Sequence, residues 1–112
     1  MKINDIVVLA EVTAAFEAYE RALMMNDIIS LDSFFWQSAH VVRYGVTENL
    51  YGTNELAAFR RGRVGGAPNR LLKRVSITTY GDDFGTACAE YGRDGSRATS
   101  RQIQSWVRFP DG

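Results

Sequence analysis

One cysteine, one histidine and no net charge are what the sequence most conspicuously withholds. Cys88 alone cannot form an intrachain disulfide, and with neither a Cys pair nor a Cys/His cluster the spacing of a structural zinc site is missing. Cys88 has no visible activator and reads as a small core residue. His40 stands before a strand-like run with no Ser or Cys nucleophile motif, so it reads as structural or exposed rather than catalytic. Thirteen basic and thirteen acidic side chains cancel, which removes the cationic field that generic nucleic-acid binding requires. A long unbroken apolar run is absent as well. The start, "MKINDIVVLAEVTAAF", is interrupted by Asn4, Asp5 and Glu11 and reads as a folded helix, not a signal peptide or a membrane span. A free thiol suits a reducing compartment, so the expected location is the cytoplasm, with no membrane partner.

At 112 residues, 46% hydrophobic and 23% charged, the chain has the composition of one soluble domain, residues 1–112, with a single core. From Asp5 to about Asn26, Val8, Val12, Ala15, Phe16, Tyr19 and Leu23 recur at three- and four-residue steps, the stripe of a long helix. Asn26-Asp27 ends it before a short helix near Ile28 to Trp36. "HVVRYGV" alternates with period two, setting Val41, Arg43 and Gly45 on one face and Val42, Tyr44 and Val46 on the other. After the loop "ENLYG", Thr53 and Asn54 can cap a third helix, "ELAAFRRGR", which "GGAPN" ends. Three strand-like runs follow, "LLKRVSITTY", "FGTACAEYG" and "RATSRQIQSWVRF", with Asp94-Gly95 suited to a tight hairpin turn. Between Leu56 and Gly81, Arg60, Arg61, Arg63, Arg70, Lys73 and Arg74 have no acidic neighbour, which reads first as a solvated face. Helices followed by an antiparallel meander predict an α+β domain, its curved sheet wrapped around the long N-terminal helix and enclosing a pocket.

Arg43 is the anomaly in this pattern, a fixed charge on a strand face where an aliphatic side chain would serve. It either pairs with a surface carboxylate or lines the pocket as an anion clamp, with Val41 and Val42 keeping water away. Tyr19 lies on the apolar stripe of the first helix, so its buried hydroxyl needs a partner, either a backbone carbonyl or a bound anion. Glu48, Tyr44 and Tyr51 surround the loop after the first strand, where a turn role is favoured over a pocket one. Trp36, Trp106 and Phe59 read as core or pocket wall, since the basic residues near them are not interleaved for base stacking.

Taken together, "AEVTAAFEAYERAL", "LDSFFW", "VVRYGVTENLYG", "AAFRRGR", "ITTYGDDF" and "RQIQSWVRFPDG" resemble the AtzH-like, or oxalurate-catabolism (HpxZ-like), proteins of the nuclear-transport-factor-2-like superfamily. The resemblance runs through the whole chain and is most specific from Val42 to Arg63. It implies a cone-shaped fold, often dimeric through the outer sheet surface, and an enzyme that removes a carboxyl group from a carboxylated urea to leave allophanate. The implied catalytic pair falls on Tyr19 and Arg43, needing neither metal nor cofactor. Trp36, Tyr44, Glu48, Phe59, Arg63 and Gln104 are the expected substrate contacts, for a small anion.

Two departures qualify the match. Ile103 replaces a small polar residue usual in the family, which would make one pocket wall more apolar. Relatives continue past "PDG" with a further strand, so a sheet lacking its usual last strand is expected, either covered by a partner chain in a homodimer or belonging to a truncated form. Because this fold also serves binding and scaffolding, a non-catalytic ligand-binding or assembly module is the alternative to an enzyme. Tyr19 and Arg43 facing one cavity would favour the enzyme.

Overall fold

The computed structural model describes residues 1–63, 65–66, 69–93 and 95–111. In chain order the elements are α1 (Ile6–Met25), α2 (Ile28–Phe34), β1 (Val42–Tyr44), β2 (Asn49–Tyr51), α3 (Gly52–Gly62), β3 (Arg70–Tyr80), β4 (Phe84–Arg93) and β5 (Ser100–Val107). The architecture is α+β, a long N-terminal helix with a curved antiparallel sheet, as the order of periodicities predicts. Contacts divide it into two compact units, Met1–Ala18 with Pro68–Gly112, and Tyr19–Ala67.

In the first unit, β3, β4 and β5 form a three-stranded antiparallel meander with β4 at its centre. A register shift between Leu72 and Arg74 marks a bulge that bends β3. The inward face of β4 carries small residues, Gly85, Ala87, Ala89, because α1 lies close against it. Phe16 packs on Ala87 and Ala89, flanked by Ile77 and Trp106, and a Cβ at Gly85 would press on the Val12 side chain and the Thr78 carbonyl. The segment before α1 is tied to the sheet: Asn4 N–H donates to the Thr79 carbonyl at 3.0 Å, and Thr79 N–H donates to Asn4 Oδ1 at 2.9 Å. Asp5 Oδ1 caps α1, accepting from the Val7 and Val8 amides.

Strand parity is where expectation and structure part. β5 alternates, with Gln102, Gln104 and Trp106 half-buried and Arg101, Ile103, Ser105 and Val107 outward. Ile103 is therefore 69% exposed on the outer face and forms no pocket wall. Cys88 pairs with Ile103 and Ser76 on that same outer face, so it is an exposed thiol rather than a small core residue. β5 begins only at Ser100, later than a tight turn would bring it; of the expected Asp94-Gly95 turn, Asp94 lies outside the described residues, and Gly95 has φ 76°.

In the second unit, Leu23, Leu31 and Leu56 supply the buried aliphatic side chains. "ENLYG" is not a plain loop: Asn49–Tyr51 forms β2, which pairs with β1 in a two-stranded ribbon separate from the meander. Thr53 and Asn54 do not cap α3. Tyr51 occupies the N-cap position without a side-chain bond, and the Thr53 hydroxyl instead exchanges hydrogen bonds with Ser38. The helix ends at Gly62, before "GGAPN", of which residues 67 and 68 lie outside the described residues.

The basic run is also not one solvated face. Arg60 is 4% exposed, its Nη1 donating to Asp32 Oδ1 at 2.7 Å and its guanidinium lying 4.4 Å above the Phe35 ring, while Arg61 reaches Asp32 from the exposed side. A desolvated guanidinium with its carboxylate removed is costly, so Asp32→Ala should lower unfolding free energy by about 3 kcal/mol in denaturant melts. A loss below about 1 kcal/mol would mean that the pair behaves as a surface contact.

Candidate anion-binding site

The β1–β2 ribbon sets Arg43 apart from its neighbours. Val41, Arg43 and Gly45 are half-buried while Val42, Tyr44 and Val46 are exposed, so the expected alternation holds. Its corollary removes two expected roles. Val42 does not shield Arg43 from water, and Tyr44, 70% exposed and edge-on to Tyr51, lies on the opposite face and is not brought to the site. Arg43 Nη1 donates to Glu48 Oε1 at 2.9 Å, both side chains about one-fifth exposed. The carboxylate that meets Arg43 is thus its own neighbour in the turn, and Glu48 enters the site as the partner of Arg43. Burial pushes the Glu48 carboxyl up, but hydrogen bonds from Arg43 and Thr47 outweigh it and hold the group below its ordinary value.

Phe59, on α3, provides the common surface. Arg43 lies over its ring with the guanidinium carbon 5.3 Å from the centroid, and Arg63 with its own at 5.0 Å. Arg63, unlike Arg43 and Arg60, forms no ion pair among the described residues, and its buried Nε has no hydrogen-bond partner. Burial lowers its pKa first and the adjacent Arg43 charge second, with Arg60 adding to the lowering and Tyr19 and Glu48 opposing it. It nonetheless stays charged. Arg43, Arg60, Arg63, Glu48 and Tyr19 therefore share one electrostatic neighbourhood in the second unit.

Tyr19 is 6% exposed and meets the edges of Phe34 and Phe35 at centroid distances of 6.0 and 5.9 Å. No described residue hydrogen-bonds its hydroxyl. A largely buried phenol with no hydrogen-bonding partner among the described residues, near a guanidinium without an ion pair among them, is suited to meeting a ligand. Trp36 is half exposed and lines a shallow cleft of about 10 Å³, room for one water, with Asp32, Val41, Leu56 and Arg60. Gln104 belongs to the first unit, where its side-chain oxygen accepts from the Trp106 indole at 2.8 Å. The burial of Arg60 and its pairing with Asp32 were missed in the sequence, where nothing links residues 28 apart. Among the described residues no three His, Cys, Asp or Glu side chains are placed to hold a metal ion.

The model of the AtzH-like family matches residues 1–112. The chain belongs to the AtzH-like family. A protein of unknown function from Pectobacterium atrosepticum is 48% identical with a TM-score of 0.94, over 98% of this chain and 86% of that one. A cystatin-like fold protein from Burkholderia xenovorans is 39% identical with a TM-score of 0.92, over 99% and 87%. A nuclear-transport-factor-2-like protein of unknown function from Pseudomonas putida shares the fold at a TM-score of 0.75 and 14% identity, over 96% and 81%. No curated relative matches the sequence. Among the described residues of this AtzH-like chain, no helix is long and apolar enough to cross a membrane.

The depressed Glu48 carboxyl has a readable consequence. Its pairing contributes stability that is complete above the ordinary carboxyl value of 4.5 and is lost as pH falls through the lower folded value. The gap in unfolding free energy between wild type and Glu48→Gln should accordingly narrow as pH falls from about 6 to about 3. A gap that stays constant over that range would show that the pair adds nothing to the fold.

Proposed function

We propose that the chain, acting as one nuclear-transport-factor-2-like domain, is a cofactor-independent enzyme of the decarboxylating amidohydrolase kind. Its substrate is a small carboxylated urea or a related ureido or amide anion, and its setting is nitrogen-compound catabolism such as that of the oxalurate-linked, HpxZ-like members. One observation carries the reading: Arg63, half-buried and without an ion pair among the described residues, shares the Phe59 ring with Arg43 and an electrostatic neighbourhood with Tyr19, whose hydroxyl bonds none of the described residues. An anion entering there meets an uncompensated positive charge and a proton donor, which is what the loss of an N-carboxylate needs.

In that reaction the bond between nitrogen and the departing carboxyl carbon breaks, its electron pair stays on nitrogen, carbon dioxide leaves, and nitrogen takes a proton. Arg63 and Arg43 hold the substrate and offset charge that builds on the urea oxygen or nitrogen. Tyr19 orients the substrate or supplies the proton, to be replaced from solvent. The preformed Arg43–Glu48 pair favours one other reading, a non-catalytic ligand-binding or assembly module, because it leaves Arg43 already neutralised.

Release of carbon dioxide or allophanate from carboxylated ureas separates the two. Arg43→Ala and Tyr19→Phe should each slow release by about a hundredfold or more. Equal rates in all three proteins would mean spontaneous decomposition and would leave the binding module.

We also propose a cytoplasmic homodimer formed through the outer sheet face, with no nucleic-acid or membrane partner. The exposed Leu71, Phe84, Ile103 and Val107 on β3, β4 and β5 supply the apolar surface for it. Sedimentation should give twice the chain mass, and a charge placed at Ile103 should lower it to that of the monomer.

A further inference from the structure

At position 45 the strand omits a side chain, and a carboxylate fills the space. A Cβ built there would land on Oε1 and Cδ of Glu48, the flexible end of that side chain rather than any backbone. Gly45 does not have a positive φ, so the residue is small for room and not for backbone freedom. Its amide still closes the turn by donating to the Glu48 carbonyl at 2.8 Å. Through the gap Glu48 folds back to Arg43, and its second oxygen is held by the Thr47 hydroxyl at 2.9 Å and the Thr47 amide at 3.3 Å. Glu48 thus occupies on Arg43 the position that a ligand carboxylate would take.

We infer that Glu48 is a built-in competitor for Arg43 that selects the charge of the ligand, an inference that rests on anion capture at the same site. With Glu48 turned inward, Arg43, Glu48 and Arg63 together carry one positive charge and suit a monoanion. With Glu48 turned out, two guanidiniums flank the Phe59 ring and suit a dicarboxylate. Exchanging one carboxylate for another on the same guanidinium is nearly balanced, so small advantages decide it. A ligand already anchored on Arg63 has such an advantage, because it offers its second carboxylate to Arg43 at high local concentration. A monocarboxylate satisfied by Arg63 has no second group to offer and leaves Glu48 in place.

Two variants separate the carboxylate's charge from its position. Glu48→Gln keeps the shape and removes the charge. Gly45→Ala keeps the carboxylate and forces it aside, with only a flexible side-chain end to move. The first measurement is the rate at which phenylglyoxal modifies Arg43, followed by peptide mass mapping, which needs no ligand. The second is calorimetric titration of the full-length chain with malonate and with acetate.

Arg43 should be modified faster in both variants, and malonate should bind about fivefold to tenfold tighter than to wild type, with acetate changing less. Unchanged modification rates would overturn the competitor while leaving anion capture standing, provided wild type still binds malonate or acetate. Equal gains for malonate and acetate would overturn the charge selection. Faster modification with no anion bound by any of the three proteins would overturn the capture reading and the selection built on it.

Discussion

The second unit depends on a guanidinium taken out of water. Arg60 lies over the Phe35 ring and is paired with Asp32, so it joins α2 to the last turn of α3 through one charge-assisted bond and one cation–π contact. Desolvating such a charge is tolerable only when the geometry is this specific, which restricts how α3 can roll about its axis. That roll decides the rest. With Arg60 turned to Asp32, Phe59 presents its ring to Arg43, Arg63 comes over the same ring, and Arg61 is left at the surface. Three successive basic residues of one short run therefore end in three different environments.

Much of this was legible in the sequence where periodicity alone decides. The stripe of α1 placed Val8, Phe16, Tyr19 and Leu23 inward, and all four are buried. Alternation in "HVVRYGV" separated Arg43 from Tyr44 correctly. Cys88, read as core for want of an activator, and Ile103, read as pocket wall from the family resemblance, both lie on the outer face, because the register of β4 and β5 sets their side and neither of those signals reports it. Along β4 the inward residues opposite α1, Gly85, Ala87 and Ala89, are small, because the close approach of Val12 and Phe16 leaves no room for larger side chains. Size in the strand answers to a helix about seventy residues earlier, a relation that a local window cannot contain.

The site was less legible, because charges find their partners in space. Asp32 lies 28 residues from Arg60 in the chain, so the basic run looked uncompensated when one of its members was buried and neutralised. Glu48, five residues after Arg43, was in view, but whether a short turn brings the two together depends on the absent side chain at Gly45. Thr53 had the chemistry of a helix cap and spends it on Ser38 instead, fixing the approach to β1 rather than the start of α3.

The Asn4–Thr79 hydrogen bond spans 75 residues, and it implies an order of events as the chain is made. The second unit is one continuous stretch, Tyr19–Ala67, whose closures are short and carry a modest entropic cost. The first unit is assembled from both ends of the chain, and Phe16 has nothing to pack on until Ala87 and Ala89 exist. During synthesis the second unit can organise itself while the start of α1 still waits for its sheet, so the long-range closure belongs to the meander.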